Sequence, residues 1–427
     1  MPNVGAKMSS FRAQVSTLKF LFLAVAAIQL VTAASGTIVA LYFAGTGASQ
    51  EIAALAPAAY SLGFLIGCFF IAGWITSIGH IRAFSAAAAI CTASALLFSV
   101  TDNEPTLLFV RFLTGIATAG LFAIGDAWIS ETVDGSSRGR LLAVFAIILG
   151  LMSVLSQVIV IITPDDLNQS FVLVSLLYCL AIVVIAATPS TPPEGKERAN
   201  VRVKALFADA PTAAFGAIAV GIVSTVFMNV VPYRAAVIGV DAVDVAIAMG
   251  AIYVGRILFL YPLGLMSDRM DRRRVILVAS VIASFALLTF ALLSTGDGVR
   301  HAVIVGTPVY RLVFVGLILL GGSMLTLYSL LLAHAMDRTV PVYVASSAVT
   351  MLFVFTIGGI IGPLLTSAVS AVFGDMAMGW MLMIVMAAFA VLTAVRIKTV
   401  APAAKAEQTN FKAAETTSLK SAPTQKR

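Results

Sequence analysis

Charged side chains are scarce in this sequence. Only 11% of the 427 residues are Asp, Glu, Lys or Arg, whereas 60% are hydrophobic and the mean hydropathy is +1.02. Water-soluble domains carry roughly 25% charged residues, so this composition excludes an ordinary soluble globular protein. The sequence therefore predicts a membrane protein built from long apolar segments.

Residues that carry enzyme chemistry are also rare. The three cysteines, Cys68, Cys91 and Cys179, each lie inside an apolar run and lack the spacing of disulfides or metal sites. No cluster of His, Cys or Asp has ligand spacing, and the nucleotide-binding pattern GxxxxGK[ST] is absent. We therefore predict no enzyme activity, no cofactor, no metal site and no direct use of ATP.

The net charge of +7 raises the question of nucleic-acid binding. The basic residues lie in short loops between apolar runs, however, and form no stripe with interleaved aromatic residues. We therefore expect no nucleic-acid partner, and we expect a monomer that lies in a lipid bilayer.

Twelve apolar runs, each about as long as a membrane-spanning helix, are present instead. They lie at about 20–43, 52–77, 81–100, 105–130, 138–163, 169–188, 211–238, 242–266, 273–293, 308–335, 343–372 and 376–396. The fold predicted is an all-α membrane protein with twelve transmembrane helices in two pseudo-symmetric six-helix bundles.

A change of composition separates the two sets of six runs. Residues 189–209 contain three prolines and four Lys or Arg, which is typical of a linker. The predicted organisation is an N-terminal bundle at 1–188, a cytoplasmic linker at 189–209, a C-terminal bundle at 210–398 and a disordered basic cytoplasmic tail at 399–427.

The loop GLMSDRMDRRR, at residues 264–274, lies between two apolar runs and is crowded with arginine. Counted over the short loops, the side that holds the N-terminus has twelve Lys or Arg and the other side has three. Loops rich in Lys and Arg stay in the cytoplasm, so both termini are predicted to lie there, in a multi-pass protein of the cytoplasmic (inner) membrane.

The corresponding loop of the first half is GWITSIGHIR, at residues 73–82. Both loops have a glycine near the end of the incoming helix and an arginine near the start of the next. The first copy has Ser77 and Ile78 where the second has Asp268 and Arg269. We interpret the chain as an internal duplication in which one copy of a gate element survives.

These features together resemble the major facilitator superfamily over about residues 15–400. The six-plus-six layout is one feature, and the loop at 264–274 is similar to the family's G-x-L-x-D-R-x-G-R-R. RFLTGIATAG in the fourth run is similar to the family's R-x-x-x-G, and GGIIGP lies in the eleventh run. The resemblance implies a midplane cavity faced by helices 1, 4, 7 and 10, and alternating access by rocking of the two bundles.

A second resemblance is to a branch of the family with an acidic residue before a Trp in helix 4 and R-G-R at the start of helix 5. Here these residues are Asp126, Trp128, Arg138 and Arg140. Two departures stand out: the loop motif survives only in the second half, and ILGLMSVLSQ replaces the Gly-Pro motif that marks helix 5 of many antiporters.

Arg111 and Asp126 are ionisable residues inside the predicted helix 4, where burial costs several kcal/mol without a partner or water. They lie roughly 22 Å apart along that helix. We predict that Asp126 carries a proton, the alternative being a permanent ion pair with Arg138, Arg140 or Arg82. The resemblance implies proton coupling or helix packing for Arg111, the alternative being a structural hydrogen bond.

Arg256 lies about 18 Å along helix 8 from Asp268, close to the membrane midplane. A cation at that depth predicts a binding site for a substrate carboxylate or phosphate. The alternative is a structural hydrogen bond to carbonyls or hydroxyls of an adjacent helix.

Uncharged polar residues on helices 1, 7 and 10 are further candidates for substrate binding, or alternatively for hydrogen bonds between helices. They are Gln29, Asn229, Ser323, Thr326 and Tyr328. With many Phe, Met and small residues around them, they suggest a cavity for a modest, partly apolar solute.

The loop after helix 8 is the candidate gate. Asp268 lies at a helix C-terminus, which is unfavourable for an anion, so we expect another partner for it. We hypothesise that it engages the start of helix 5 and Arg138 or Arg140 when the protein is open to the outside, which would hold the cytoplasmic side closed. Gly264 and Arg269 of the same loop are further gating candidates. The alternative is a solvated loop charge.

Helix 11 carries GGIIGP, whose Gly362 and Pro363 could form a hinge for rocking or simply allow tight packing. At the end of helix 10, His334 and Asp337 are expected to form a surface pair.

The function predicted is that of a secondary active transporter for a small organic solute, working by alternating access, coupled to protons, with export slightly favoured by the resemblance. The alternatives are a proton-coupled uptake symporter of a small organic anion and a transport-dead membrane sensor.

Overall fold

A computed structural model describes residues 4–132, 138–188, 200–293, 308–340 and 343–400. Within these ranges, twelve helices are long and apolar enough to cross a membrane. They are α1 (Val4–Gly45), α2 (Gln50–Ile78), α3 (His80–Val100), α4 (Glu104–Thr132), α5 (Arg138–Leu155, continued by Val158–Ile162), α6 (Leu167–Ala186), α7 (Pro211–Thr225, continued through Val226–Val230 to Val231–Val237), α8 (Ala242–Arg269), α9 (Arg272–Leu293), α10 (Pro308–Asp337), α11 (Val344–Phe373) and α12 (Ala377–Thr399).

The predicted twelve-helix membrane fold is confirmed, with the helices close to the expected bounds. Two differences concern polar segments. The first helix begins at Val4, well before its apolar part, and the last residues of the predicted linker form a short helix, Val203–Asp209. Residues 189–199 of the linker and 401–427 of the predicted disordered tail lie outside the described part of the chain.

The helices alternate in direction between two faces. The terminal face is where α1 begins and α12 ends, and the distal face is the opposite one. Tight turns keep neighbouring helices antiparallel. Gly79 alone separates α2 from α3, with a positive φ of 82° that a residue with a side chain rarely adopts.

In the N-terminal half (α1–α6), glycines bring α2 and α4 into backbone contact. A Cβ added to Gly63 would lie 2.0 Å from the carbonyl oxygen of Phe112, and one added to Gly115 would lie 2.1 Å from that of Tyr60. Only glycine permits such an approach, as in the small-residue interfaces of membrane helices.

In the C-terminal half (α7–α12), α8 and α10 cross in the same way. A Cβ on Gly255 would lie 2.0 Å from the carbonyl oxygen of Ile318, and one on Gly321 would lie 2.0 Å from that of Ile252. In all four helices, the crossing glycine lies three residues after the residue whose carbonyl oxygen the partner glycine approaches. This reciprocal crossing aligns the two halves residue by residue and supports an internal duplication.

The halves meet chiefly where α1 packs against α7, α2 against α11, and α5 against α8. Two of these helices are irregular at the interface. α5 is interrupted around Ser156 and Gln157, and α7 contains a π-helical turn at Val226–Val230. Turns of this kind often lie at functional sites. Neither irregularity was predicted.

Candidate functional site: a cavity between the two halves

A cavity of about 260 Å³ lies between the halves. It is lined from the N-terminal half by α1, α2, α4 and α6, and from the C-terminal half by α7, α8 and α11. Its lining residues are Gln29, Thr32, Ala33, Ser35, Gly36, Pro57, Tyr60, Ser61, Phe64, Arg111, Thr114, Thr118, Phe122, Tyr178, Thr225, Met228, Asn229, Tyr253, Leu352, Phe355, Thr356 and Gly359. Residues of both halves therefore line one cavity.

One face of α4 forms the N-terminal wall. Arg111, Thr114, Thr118 and Phe122 recur at spacings of three and four residues, so they share one side of the helix. Arg111 is nearest the distal face and Phe122 nearest the terminal face. The wall therefore grades from charged to apolar.

Arg111 is 3% exposed and lies in an unusual environment. Its Nη1 donates a hydrogen bond to Ser35 Oγ at 3.0 Å, and the guanidinium carbon lies 4.6 Å from the ring centroid of Tyr60, a cation–π contact. Its Nε has no hydrogen-bond partner. Among the described residues, none forms an ion pair with it.

Gly115 explains how the tyrosine reaches that position. Because Gly115 has no side chain, the α2 backbone at Tyr60 packs directly against α4, one turn from Arg111. The R-x-x-x-G motif thus supplies the cation and the close helix approach that puts an aromatic face beside it.

Two predicted residues, Gln29 and Asn229, line the cavity from opposite halves. Gln29 Nε2 donates to Ser153 Oγ at 2.9 Å, which ties α1 to α5. Asn229 lies in the π turn of α7, where its Nδ2 donates to the carbonyl of Thr225 at 2.9 Å. Its Oδ1 would lie 3.0 Å from a Cβ added to Gly36, so this glycine lets α7 approach α1.

The opposite end of the cavity is apolar. Phe64, Leu352 and the buried Ala119 form a small hydrophobic cluster across α2, α4 and α11, and Phe122 and Phe355 pack against it. A bound solute would meet charge and hydroxyls at one end and aromatic and aliphatic groups at the other.

Hydrogen bonds join the halves on the distal side of the cavity. Tyr233 Oη donates to the carbonyl of Ala48 at 2.8 Å, and Arg234 Nη1 donates to Gln50 Oε1 at 3.3 Å. Arg234 also pairs with Asp375. These contacts hold the end of α7 against the turn between α1 and α2.

The remaining candidates for substrate binding lie elsewhere. Arg256 is half-buried on α8, and Thr326 and Tyr328 are buried in the C-terminal half, where Tyr328 packs against Phe355 with ring centroids 4.9 Å apart. None of the three lines the cavity as it is formed by the described residues. Nor does α10 contribute to that lining, although the resemblance implied that it would.

The proton-coupling and latch candidates are only partly visible. Asp126 lies on α4, Arg138 begins α5 and Arg140 lies in its first turn, but the side chains of all three lie outside the described part of the chain. Proton transfer by Asp126 and a latch through Arg138 or Arg140 therefore stay predictions.

The loop between α8 and α9 is tied into its own half. Gly264 and Arg269 lie on the last turns of α8, and an oxygen of Asp268 lies 4.0 Å from Nη2 of Arg272. Arg272 Nε lies 3.0 Å from Oδ2 of Asp337, and their side chains are 3% and 2% exposed. This ion pair fastens the start of α9 to the end of α10.

The expectation of a surface pair formed by His334 and Asp337 is wrong. Both residues are buried, and the carboxylate of Asp337 forms an ion pair with Arg272 of α9. A buried carboxylate needs such a partner.

The neighbouring Arg273 connects the same loop to α12. Its Nη1 donates to the carbonyls of Val400 at 2.8 Å and Arg396 at 3.3 Å, and its Nη2 donates to Asp271 Oδ2 at 2.8 Å. Burial alone would raise the pKa of Asp271, but hydrogen bonds from the side chain and backbone N–H of Arg273 outweigh it and lower that pKa.

GGIIGP packs α11 against α7. A Cβ on Gly358 would lie 2.4 Å from the carbonyl oxygen of Ile218, and one on Gly362 would lie 2.8 Å from that of Ile222. Pro363 follows within the continuous helix α11. The contacts favour the packing interpretation, and a hinge at Gly362 and Pro363 stays a prediction.

Three tyrosines that line the cavity were missed by sequence reasoning: Tyr60, Tyr178 and Tyr253. Their hydroxyls need partners inside a membrane span, and that signal could have identified them. Tyr253 Oη, for example, donates to the carbonyl of Ala33 at 3.4 Å, across the interface between α8 and α1.

A second cavity, of about 610 Å³, lies at the distal end of the C-terminal half. Its lining is mostly apolar and comes from α7, α8, α9, α10 and the start of α12 with the preceding turn, with the charged residues Arg234, Asp244 and Asp375 also present. Since only one half encloses it, rocking of the halves would not open and close it. We therefore take the first cavity as the candidate functional site.

Comparison with known proteins agrees with this architecture. The sequence profile of the Major Facilitator Superfamily matches residues 21–214 and again 213–425. A relative from Salmonella arizonae, described as an uncharacterized MFS-type transporter, YcaD, is 22% identical over 363 residues, or 84% of this chain and 90% of the relative.

Solved structures of similar fold are transporters as well. The nucleoside transporter NupG is 14% identical with a TM-score of 0.72, covering 90% of this chain and 99% of that chain. A bacterial homologue of the lysosomal transporter Spinster, inward-facing and occupied, is 15% identical with a TM-score of 0.73, covering 91% and 97%. A D-xylose–proton symporter is 14% identical with a TM-score of 0.64, covering 93% and 100%.

Proposed function

Because the chain belongs to the Major Facilitator Superfamily, we propose that it carries a small organic solute across the cytoplasmic membrane by alternating access, as a secondary active transporter driven by protons. The observation that carries this proposal is the cavity lined jointly by the two halves. Relative movement of the halves would expose such a compartment to one side of the membrane and then to the other.

The orientation follows from charge. Loops on the terminal face hold most of the Lys and Arg, so we propose that this face and both termini are cytoplasmic. The hydrogen bonds from Tyr233 and Arg234 across the halves would then lie on the outer side. In this arrangement the outer side is held together, and the next step of the cycle would part α7 from the turn between α1 and α2.

Proton coupling is assigned to Asp126. A carboxylic acid inside a membrane span can be kept neutral by burial and can ionise when water or a cation reaches it. The fold resemblance to the D-xylose–proton symporter supports this kind of coupling. For direction we favour export, as the family resemblance implies.

A thermal-shift screen of the purified protein against metabolites and antibiotics, at two pH values on either side of neutral, would identify the solute. The hit is then followed as flux in proteoliposomes with and without an imposed pH gradient. We expect flux that responds to the gradient, with the response lost in Asp126→Asn.

The matched control is Asp244→Asn, which changes a carboxylate in the first turn of α8 near the distal face. It should keep the response to the gradient. Flux that ignores the gradient in the unmodified protein would contradict proton coupling, and the absence of flux for every compound that binds would contradict transport itself.

A further inference from the structure

We infer that the solute is a small organic anion, a monocarboxylate with an aromatic or branched aliphatic body, and that Arg111 supplies its counter-charge. This inference rests on the proposed function, because it names the class of solute for the same cavity. It starts from the charge balance of the lining residues.

Arg111 is the one lining residue with a full charge among those that the structure describes. It is 3% exposed and has no ion-pair partner in the described part of the chain. A buried cation without a counter-ion costs several kcal/mol, which an incoming anion would recover. The cavity therefore favours a negatively charged solute.

The groups already in contact with Arg111 do not neutralise it. Ser35 Oγ is a neutral acceptor at 3.0 Å, and the Tyr60 ring offers only its π face at 4.6 Å. Nε has no partner, so the guanidinium keeps unused donor capacity. A planar guanidinium matches the geometry of a carboxylate, with two parallel N–H···O bonds.

The other lining residues and the cavity volume indicate the size and the apolar character of the rest of the solute. Phe64, Phe122, Leu352 and Phe355 occupy the end opposite Arg111. At about 260 Å³ the cavity lies at or below the lower limit of typical ligand pockets, so the solute is small. A carboxylate at one end and a ring or branched chain at the other fits this gradient.

The corresponding position in the other half has no charge. Four residues before Gly115 is Arg111, and four residues before the equivalent Gly321 is Leu317. In the C-terminal half, the same helix crossing therefore forms without an arginine at this position. This argues that the arginine is not required to bring the two helices together and belongs to the solute site.

Matched acid and amide pairs test the charge requirement directly. Binding of benzoate and benzamide, and of phenylacetate and phenylacetamide, is measured by calorimetry on the purified full-length protein. Each pair has nearly one shape and differs in charge. We expect each acid to bind at least about tenfold more tightly than its amide, a difference of about 1.4 kcal/mol.

Variants then locate the charge. Arg111→Gln should abolish the preference for acid over amide. Arg111→Lys should keep part of it, because Lys retains the charge but lacks the planar guanidinium that donates two parallel hydrogen bonds. Arg256→Gln is the matched control, since it removes another arginine from a membrane span that lies outside the cavity lining, and it should keep the full preference.

In the binding experiments, three results would overturn the inference: amides that bind as tightly as the acids, an acid preference that survives Arg111→Gln, and tighter binding of the cation benzylamine than of benzoate. The comparison of acids with amides uses the unmodified protein, so poor folding of a variant cannot obscure it. Flux of a neutral or cationic compound in proteoliposomes would overturn the anion inference and leave the transporter proposal intact, whereas bound acids that are never transported would contradict the transporter proposal.

Discussion

The two halves of this protein share a helix crossing but bury their arginines at different depths. In the N-terminal half, Arg111 lies beside Tyr60 at the cavity. Counted from the crossing glycines, the equivalent residues of the C-terminal half are Leu317 and Ile252, both apolar and buried. Among the described residues that line the cavity, then, the full charge belongs to the N-terminal half.

At the terminal face, the buried charges that the structure describes lie in the C-terminal half. There the C-terminal half has the buried ion pair of Arg272 and Asp337, at 3.0 Å. At the start of α3, the N-terminal half has His80 against Trp128, with ring centroids 6.1 Å apart. Among the described residues, therefore, the cation that lines the cavity lies in the N-terminal half, and the buried ion pair of the terminal face lies in the C-terminal half.

The largest expected effect is on the ion pair of the C-terminal half. Asp337→Ala removes the nearer of the two carboxylates beside the buried Arg272, leaving Asp268 at 4.0 Å, and should lower the free energy of unfolding by about 3 kcal/mol. His80→Leu, the matched change in the other half, removes an aromatic contact worth only about 0.5–1.5 kcal/mol. Apparent melting temperatures in detergent measure both.

Replacing both Arg272 and Asp337 with Leu is the control for that experiment. It removes the charges together and should recover most of the loss. Equal losses of stability in Asp337→Ala and His80→Leu would contradict the expected difference between the halves.

The next effect tests what the halves share. Gly115→Ala and Gly321→Ala each place a Cβ about 2 Å from a backbone carbonyl oxygen and should each cost about 1–3 kcal/mol. Gly316→Ala is the control, because its Cβ would meet nothing closer than Thr289 Oγ1 at 3.5 Å.

Ligand binding should separate the two glycine variants. Gly115→Ala shifts Tyr60 away from Arg111 and should weaken benzoate binding, whereas Gly321→Ala acts in the half without the cation and should not. If both variants weakened binding equally, the proposed division of roles would be wrong.

A smaller effect of opposite sign is expected at Arg111. Arg111→Leu installs the residue type of the C-terminal half and removes a buried charge without an ion-pair partner among the described residues, so stability should rise by about 1 kcal/mol. Unfolding in detergent measures the gain, and calorimetry should show the loss of benzoate binding in the same sample. A clear drop in stability would identify Arg111 as structural instead.

The smallest effect concerns acid. Because the pKa of Asp271 is lowered, its ionised form adds stability that is fully present above the ordinary carboxyl pKa and is lost as the pH falls through the lowered value. We expect a contribution below about 1 kcal/mol, since the group is near the surface. Melting curves recorded down to acidic pH should lose this component in Asp271→Asn.

The equivalent turn of the N-terminal half consists of Gly79 alone between α2 and α3 and therefore has no carboxylate that corresponds to Asp271. Ser77→Ala serves as the control in that region. An acid response that persists unchanged in Asp271→Asn would assign it to another carboxylate.

Part of the candidate site could be predicted from residue type and depth. Gln29, Asn229 and Arg111 stood out as polar groups inside apolar runs, and all three line the cavity. Arg256 and Thr326 stood out for the same reason and do not line it in the described structure. Depth along a helix follows from counting residues, but the direction in which a side chain points does not.

The twelve spans follow from the length of the apolar runs, because a helix inside the bilayer must satisfy its own backbone hydrogen bonds, and that requirement is local. Which helix faces border the cavity depends instead on packing between helices. Rotation of a helix in an apolar medium is set by packing against its neighbours, here through glycines such as Gly115 and Gly36, and not by hydropathy. For that reason Arg111 and Arg256 look alike in the chain, while one lies at the cavity and the other does not.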